Sequence, residues 1–376
     1  MKIAIITHPL EKNIGGIMQA YALQKVLSLK KLNVQTIDFR PWQHNSKFRT
    51  LKYTIKSVLY RLSLNKHYPL NESLLYSKNK DFIKDFMVLS DRVYSRKSLE
   101  KYVNKQAVTT LIVGSDQTWR PKYITDLVVY YLGFIDNCKK LAYASSFGVS
   151  NWEYNDVQEK IANELIKNFH RVSVREDDGV KLCQNHLHTE AVCVADPTLL
   201  LDKSIYLELC EDISRLSAEN YLFYYVLDNN QDKQAYAESL AESLNLQLLT
   251  VESKPEGLFL TNTSLEIGPK EWLSLFKNSS YVITDSYHGM VFSLKFQRQF
   301  LIFGNPKRGL SRFSSLLNKL ELNERIISSP VNGFEYKENA IIDYSKVDVK
   351  IDEFVLYSED FLFGALSEVK NPDIVD

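Results

Sequence analysis

The sequence predicts an α/β protein with two Rossmann-like domains facing a cleft, and three observations carry that expectation. Short apolar runs alternate with segments of helical period along most of the chain, the habit of parallel strands covered by helices. The alternation restarts after Asp196-Pro197, as a second unit would. At 376 residues, with 45% hydrophobic and 24% charged, the chain is long and apolar enough for more than one core.

Taken in order, residues 2–7 read as a buried first strand. Residues 15–31 read as a helix with Ile17, Ala20, Tyr21, Gln24 and Leu27 on one stripe, and residues 34–39 as the next strand, completing a βαβ unit. Further strands are expected at 110–114, 140–145, 171–175 and 191–195, with a helix burying Val157, Ile161, Leu165 and Phe169 between the second and third. Beyond Asp196-Pro197 the order is helix 205–210, strand 221–227, helix 231–244, strand 246–251, helix 270–277, strand 281–284, helix 287–296 and strand 299–303. A tail helix over 352–369 aligns Phe354, Tyr357, Phe361 and Leu366. The domains are therefore drawn at 1–200 and 201–335, followed by a tail, 336–376, whose helix can return to the first domain.

Charge narrows the function. Lys+Arg and Asp+Glu are both 46, so no overall field favours nucleic acid and any anion site must be local. No segment reaches the ~18 uncharged apolar residues of a membrane span. The apolar run Ile3 to Ile6 is too short for a signal-peptide core, so a cytoplasmic chain is expected. Cys138, Cys183, Cys193 and Cys210 form no CxxC pair and read as buried thiols. The seven histidines include no HExxH, and no metal is expected. Residues 40–71 form an acid-free insertion containing Arg40, Lys47, Arg49, Lys52, Lys56, Arg61 and Lys66. With Leu51, Ile55, Val58 and Leu62 at helical spacing, it reads either as a solvated helix on the core or as a weak peripheral contact with an anionic membrane.

Five segments at strand ends carry candidate chemistry. Asn13, Gly15 and Gly16 open the first helix, where free N–H groups attract anions. Ser115, Asp116, Gln117 and Trp119 follow a strand, and hydroxyl-reading groups beside an aromatic face suit a sugar, whereas the competing reading is an Asp turn with the indole in the core. Arg175 closes another strand with a fork suited to an anion or to a neighbouring carboxylate. Ser286, His288 and Gly289 lie where a strand turns into a helix, placing a proton-handling imidazole beside helix-end N–H groups. Lys307 and Arg308 occupy the loop after the next strand, as a phosphate site or a solvated turn.

Read in order, NIGGIMQAYALQKVL (13–27), VGSDQTWRP (113–121), YASSFG (143–148), VSVREDDG (172–179), ADPTLLL (195–201), TDSYHGMVFSL (284–294) and FGNPKRGLSRFSSLL (303–317) resemble the polysaccharide pyruvyl transferase family. The resemblance implies the architecture of B-type glycosyltransferases, with the first domain on the acceptor side and the second on the donor side. It implies transfer of pyruvyl from phosphoenolpyruvate to two hydroxyls of a glycan, free or lipid-linked, with no further cofactor. Arg175 and His288 match the family's catalytic arginine and histidine, and Lys307 its basic residue, with Arg308, Ser286 and Gly289 alongside at the donor. Many relatives carry Arg where this chain has Ser286, which Arg308 would offset. Two other functions remain open on the sequence: a nucleotide-sugar glycosyltransferase, and a catalytically silent glycan-binding protein that would not need His288.

Overall fold

The computed structural model describes residues 1–41, 75–211, 220–304, 309–327 and 341–368. The helix expected within the basic insertion, and Lys307 and Arg308, lie outside the described residues. Arg40 is not a surface cation: it is buried, and its Nε donates to Asp38 Oδ1 at 2.5 Å.

In the first lobe β1 (Lys2–Ile6), β2 (Asn33–Thr36), β3 (Thr110–Val113), β4 (Lys139–Ser145), β5 (Arg171–Val174) and β6 (Val192–Cys193) make a parallel sheet in the order β2-β1-β3-β4-β5-β6. Its helices are α1 (Ile14–Leu29), α2 (Ser77–Phe86), α3 (Arg96–Lys105), α4 (Leu127–Tyr130), α5 (Asp156–Ile166), α6 (Asp177–His186) and α7 (Pro197–Leu200). Strand β1 shows why the sheet forms: Ile3 and Ile5 enter one apolar cluster, Ala4 and Ile6 the other, so both faces are covered as a parallel strand requires.

The second lobe contains α8 (Lys203–Leu209), β7 (Tyr221–Tyr225), α9 (Gln231–Ser243), β8 (Gln247–Lys254), β9 (Gly257–Leu260), α10 (Pro269–Asn278), β10 (Tyr281–Thr284), α11 (Tyr287–Lys295), β11 (Gln299–Phe303), α12 (Ser311–Leu320) and β12 (Ile326–Ile327). The order is β12-β11-β10-β7-β8-β9, parallel except for the hairpin of β9 on β8. Both sheets reverse their winding, between β1 and β3 and between β7 and β10, and open α/β sheets bind ligands outside the carboxyl ends of strands at such points.

The lobes share a core. One apolar cluster runs from Ile5, Ile17 and Leu23 of the first lobe to Phe223, Trp272 and Phe292 of the second, so α1 is enclosed on nearly every side. At roughly 1.5–3 kcal/mol per buried large side chain, this contact holds the lobes as one body. The last helix, α13 (Tyr344–Ser367), lies back on the first lobe: Ala195 N donates to Ser358 Oγ at 2.8 Å, and Lys139 Nζ donates to the carbonyls of Ala365 at 2.6 Å and Leu366 at 3.1 Å.

Two helical faces differ from expectation. In α5 the Asn155/Gln158 capping box fixes the start, and Ala162 and Ile166 face inward while Val157 is 68% exposed. In α13 the inward stripe is Val347, Ile351, Ser358, Leu362, Ala365 and Leu366, leaving Tyr357 in solvent. Ser358 fits inside because its hydroxyl also donates to Phe354 O at 2.6 Å, so no polar group is stranded. Cys183 is buried and the other three thiols are half-buried. Among the described residues no helix is long and apolar enough to cross a membrane.

Candidate active site

The strand ends at the two winding reversals meet around one buried carboxylate, Asp196. It follows β6 and caps α7, with Pro197 at the first helical position, where a missing N–H costs nothing. Its Oδ1 accepts from Thr198 N at 3.0 Å and Thr198 Oγ1 at 2.6 Å. Its Oδ2 accepts from Ser115 Oγ at 2.7 Å and Arg175 Nη1 at 2.8 Å. Burial works against its charge, but His288, Arg175 and Thr198 outweigh burial and hold the carboxyl far below the usual range, so Asp196 is an anion at any working pH.

Arg175 follows β5, its side chain wholly buried. Its guanidinium carbon sits 4.4 Å from the centre of the Tyr287 ring, and Nη2 lies 3.7 Å from Asp116 Oδ1. Nε and Nη2 have no hydrogen-bond partner among the described residues. Burial opposes the cation, but Asp196 leads the neighbours that keep it charged.

His288 comes from the opposite lobe, in the first turn of α11, whose start is capped by Ser286 Oγ accepting from Gly289 N at 3.3 Å. Its Nε2 lies 3.7 Å from Asp196 Oδ2, beyond hydrogen-bond range, and is buried without a hydrogen-bond partner among the described residues. The first turn of α1 closes on the ring: a Cβ at Gly15 would stand 2.3 Å from His288 Nδ1. Two helix N-termini, one from each lobe, therefore converge on this imidazole. Asn13, at the start of α1, makes no side-chain cap, so the first-turn N–H groups there retain their positive end.

Asp116 completes the cluster from the end of β3. Its φ of 83° is left-handed, a strain of about 1–3 kcal/mol for a residue with a Cβ, held by Ser146 N donating to its carbonyl at 3.0 Å. Burial opposes its charge, yet Arg175, His8 and His288 together keep it lowered and ionised. Beneath it Glu176 Oε1 accepts from Ser146 Oγ, Phe147 N and Gly148 N at 2.9, 2.9 and 3.1 Å, and burial raises this carboxyl. Gly148 is where the lobes touch main chain to main chain, since a Cβ at Gly309 would lie 1.5 Å from its carbonyl oxygen.

The remaining sequence-selected residues divide. Ser115 belongs to the cluster, and Gly16 lies between Asn13 and Asp116. Gln117 is half-buried, accepts from Arg120 Nη1 at 3.1 Å and backs onto Gly148. Gly289 lets α11 close on Thr284. Trp119 is a correction: it is fully buried, stacks on Tyr131 at 5.1 Å and donates Nε1 to Tyr130 O, so it presents no face to a sugar. The indole satisfied its one donor inside the core, which removed any need for solvent.

Sequence reasoning missed Asp196, Tyr287, His8 and Arg312. Asp196 enters the sequence reading as a domain boundary and within ADPTLLL (195–201), without a role of its own, although a strand end before a Pro-led helix is a legible signal. Arg312 of α12 is buried 5.7 Å from the Tyr287 ring on the second-lobe side, and burial followed by the charge of Arg175 lowers it to about 10. No local pattern marks it. Among the described residues no group of His, Cys, Asp and Glu could hold a metal ion.

Fold and site together define a two-lobed α/β protein with an arginine, a histidine and two ionised aspartates enclosed between facing helix ends. The model of the polysaccharide pyruvyl transferase family matches residues 13–307, and the chain belongs to that enzyme family. No curated protein matches its sequence. Among solved structures it is similar to the UDP-GlcNAc 2-epimerase of Neisseria meningitidis bound to UDP-GlcNAc, at 9% identity over 99% of this chain and 95% of that one, TM-score 0.49. It is similar also to the UDP-GlcNAc 2-epimerase of Methanocaldococcus jannaschii in complex with UDP-GlcNAc and UDP, at 10% identity over 94% and 93%, TM-score 0.48. A glycosyltransferase from Rickettsia africae aligns at 10% identity over 98% and 100%, TM-score 0.46. The two-lobed architecture stands on the sheet topology described above.

Proposed function

We propose that this protein transfers a pyruvyl group from phosphoenolpyruvate to two hydroxyls of one glycan sugar, forming a cyclic ketal in exopolysaccharide synthesis. The observation that most supports this reading is the set of buried nitrogens without a hydrogen-bond partner among the described residues, Arg175 Nε and Nη2 and His288 Nε2. A buried polar group left unpaired costs about 1–3 kcal/mol. A donor rich in carboxylate and phosphate oxygens supplies the acceptors the fork lacks.

In the reaction His288 delivers a proton to C3 of the enol, and positive charge develops at C2 where the sugar oxygens attack. Arg175, fixed by Asp196 and Tyr287, holds the anionic donor while its charge shifts, and Lys307 and Arg308 add positive charge for it. Ser286 and Gly289 set the helix end that faces the donor. The acceptor meets Ser115, Asp116 and Gln117, and the open amides near Asn13, Gly15 and Gly16 receive an anionic group. A cytoplasmic enzyme on this route benefits from weak contact of the basic insertion with anionic membrane, where lipid-linked acceptors are built. Salt-sensitive co-sedimentation with anionic vesicles tests that contact.

The chemistry is tested by incubating the purified chain with phosphoenolpyruvate and a panel of sugar diols. Release of inorganic phosphate with addition of a pyruvylidene group to the sugar is expected. Transfer of a hexose from a nucleotide sugar, with no ketal, sinks the proposal.

A further inference from the structure

Ketal formation moves protons in opposite directions at two atoms, and a concerted step divides those transfers between two groups. Phosphoenolpyruvate and a diol give the ketal carboxylate and hydrogen phosphate: one hydroxyl proton is balanced by the proton gained at C3, and the other leaves on phosphate. In the first half the bond from hydroxyl oxygen to C2 forms while the C2=C3 pair takes a proton from His288. The hydroxyl must lose its own proton at that moment to a second group. In the second half the C2 to phosphate-oxygen bond breaks, and the second hydroxyl bonds to C2 as its proton passes to the departing phosphate.

We propose that His8 is the group that takes the first hydroxyl proton, an inference that rests on the pyruvyl-transfer reading above. His8 lies two residues beyond β1, at the winding reversal between β1 and β3 where open α/β sheets bind ligands. Thr7 Oγ1 donates to Ser115 O at 3.2 Å, which pins this end of β1 beside Asp116. The His8 ring leans on Tyr130 with centroids 5.5 Å apart, and its Nε2 is enclosed without a hydrogen-bond partner among the described residues. His8 and His288, one from each lobe, are both among the neighbours that lower the Asp116 carboxyl.

The other candidates are excluded by their surroundings. Asp196 has both oxygens occupied by donors and is held too acidic to accept a proton. Asp116 is lowered by Arg175, His8 and His288, which makes it a weaker base than an imidazole, and its Oδ1 already accepts from Gln117 N at 2.8 Å. Glu176 is wholly enclosed and binds the 146–148 turn, whereas His8 is half-buried. After each turnover the proton on His8 returns to His288 through solvent.

The test uses the full chain with phosphoenolpyruvate and the p-nitrophenyl glycosides of galactose, glucose, mannose and N-acetylmannosamine. His8→Gln should lower kcat for phosphate release by about 10²- to 10⁴-fold. Stabilisation of that variant by phosphoenolpyruvate alone should stay at the wild-type level. His8→Ala should regain turnover when imidazole is added, which a structural role does not allow. Wild-type kcat in His8→Gln overturns the inference while leaving the underlying reading intact. So does a loss accompanied by weaker donor binding and no imidazole rescue. A wild-type enzyme that turns over none of the diols overturns the reading and this inference together.

Discussion

Replacing Gly15 by Ala should disable the site without unfolding the protein. The new Cβ would stand 2.3 Å from His288 Nδ1, 2.7 Å from Cγ and 3.0 Å from Cβ. Ordinary contact between such atoms is about 3.5 Å, so the imidazole, or α11 with it, must retreat by roughly 1 Å. A displacement of that size at a reacting group costs about 10²-fold in rate, equivalent to about 2.7 kcal/mol in the barrier. Steady-state phosphate release reads kcat, and a melting curve in the same buffer reads stability. Gly364→Ala is the companion variant, because nothing lies within 4 Å of that Cβ. It sits in α13 and should raise stability by up to about 0.5–1 kcal/mol while leaving kcat alone. A folded Gly15→Ala protein with wild-type kcat would refute the argument that α1 positions His288 by contact.

Three further outcomes follow from the same cluster. His288→Gln should keep the fold and slow turnover by about 10²- to 10⁴-fold, measured by phosphate release; an unchanged rate returns this histidine to a structural role. Arg175→Lys retains a cation but not the planar fork between Asp196 and the Tyr287 face, so donor affinity measured by calorimetry should fall by at least about tenfold. Asp196 has its folded pKa depressed, so its contribution to stability is present above the ordinary carboxylate value near ~3.9 and is lost as pH falls below it. Melting temperature should therefore drop steeply below about pH 4, and more shallowly in Asp196→Asn from its lower starting point.

Much of this fold was legible because parallel strands are buried on both faces and leave short unbroken apolar runs. Residues 110–113 and 281–284 could hardly be read otherwise. The β8/β9 hairpin was not foreseen, since its edge strand GLFL is short and its turn resembles a surface loop. Helix faces were harder: the apolar residues of α5 and α13 suit several rotations, and tertiary contact chose one. At the site, His288 and Arg175 were visible from their positions at strand ends. Trp119 was misleading because its neighbours offer polar groups to a sugar and to the main chain alike. Asp196 and His8 were invisible as partners because the groups that give them meaning come from distant parts of the chain.

The docking of α13 also fixes how the molecule bears tension. Lys2 belongs to β1, and the far end of α13 is tied to the first lobe by Lys139 and by Glu368, which pairs with Arg171 at 2.6 Å. Both ends of the described chain are thus moored in the same lobe, and the second lobe hangs between them as a closed loop. A pull applied between residues 2 and 366 runs through the first lobe and bypasses the second. The half of the site that carries His288 stays out of the load path until the moorings of α13 give way.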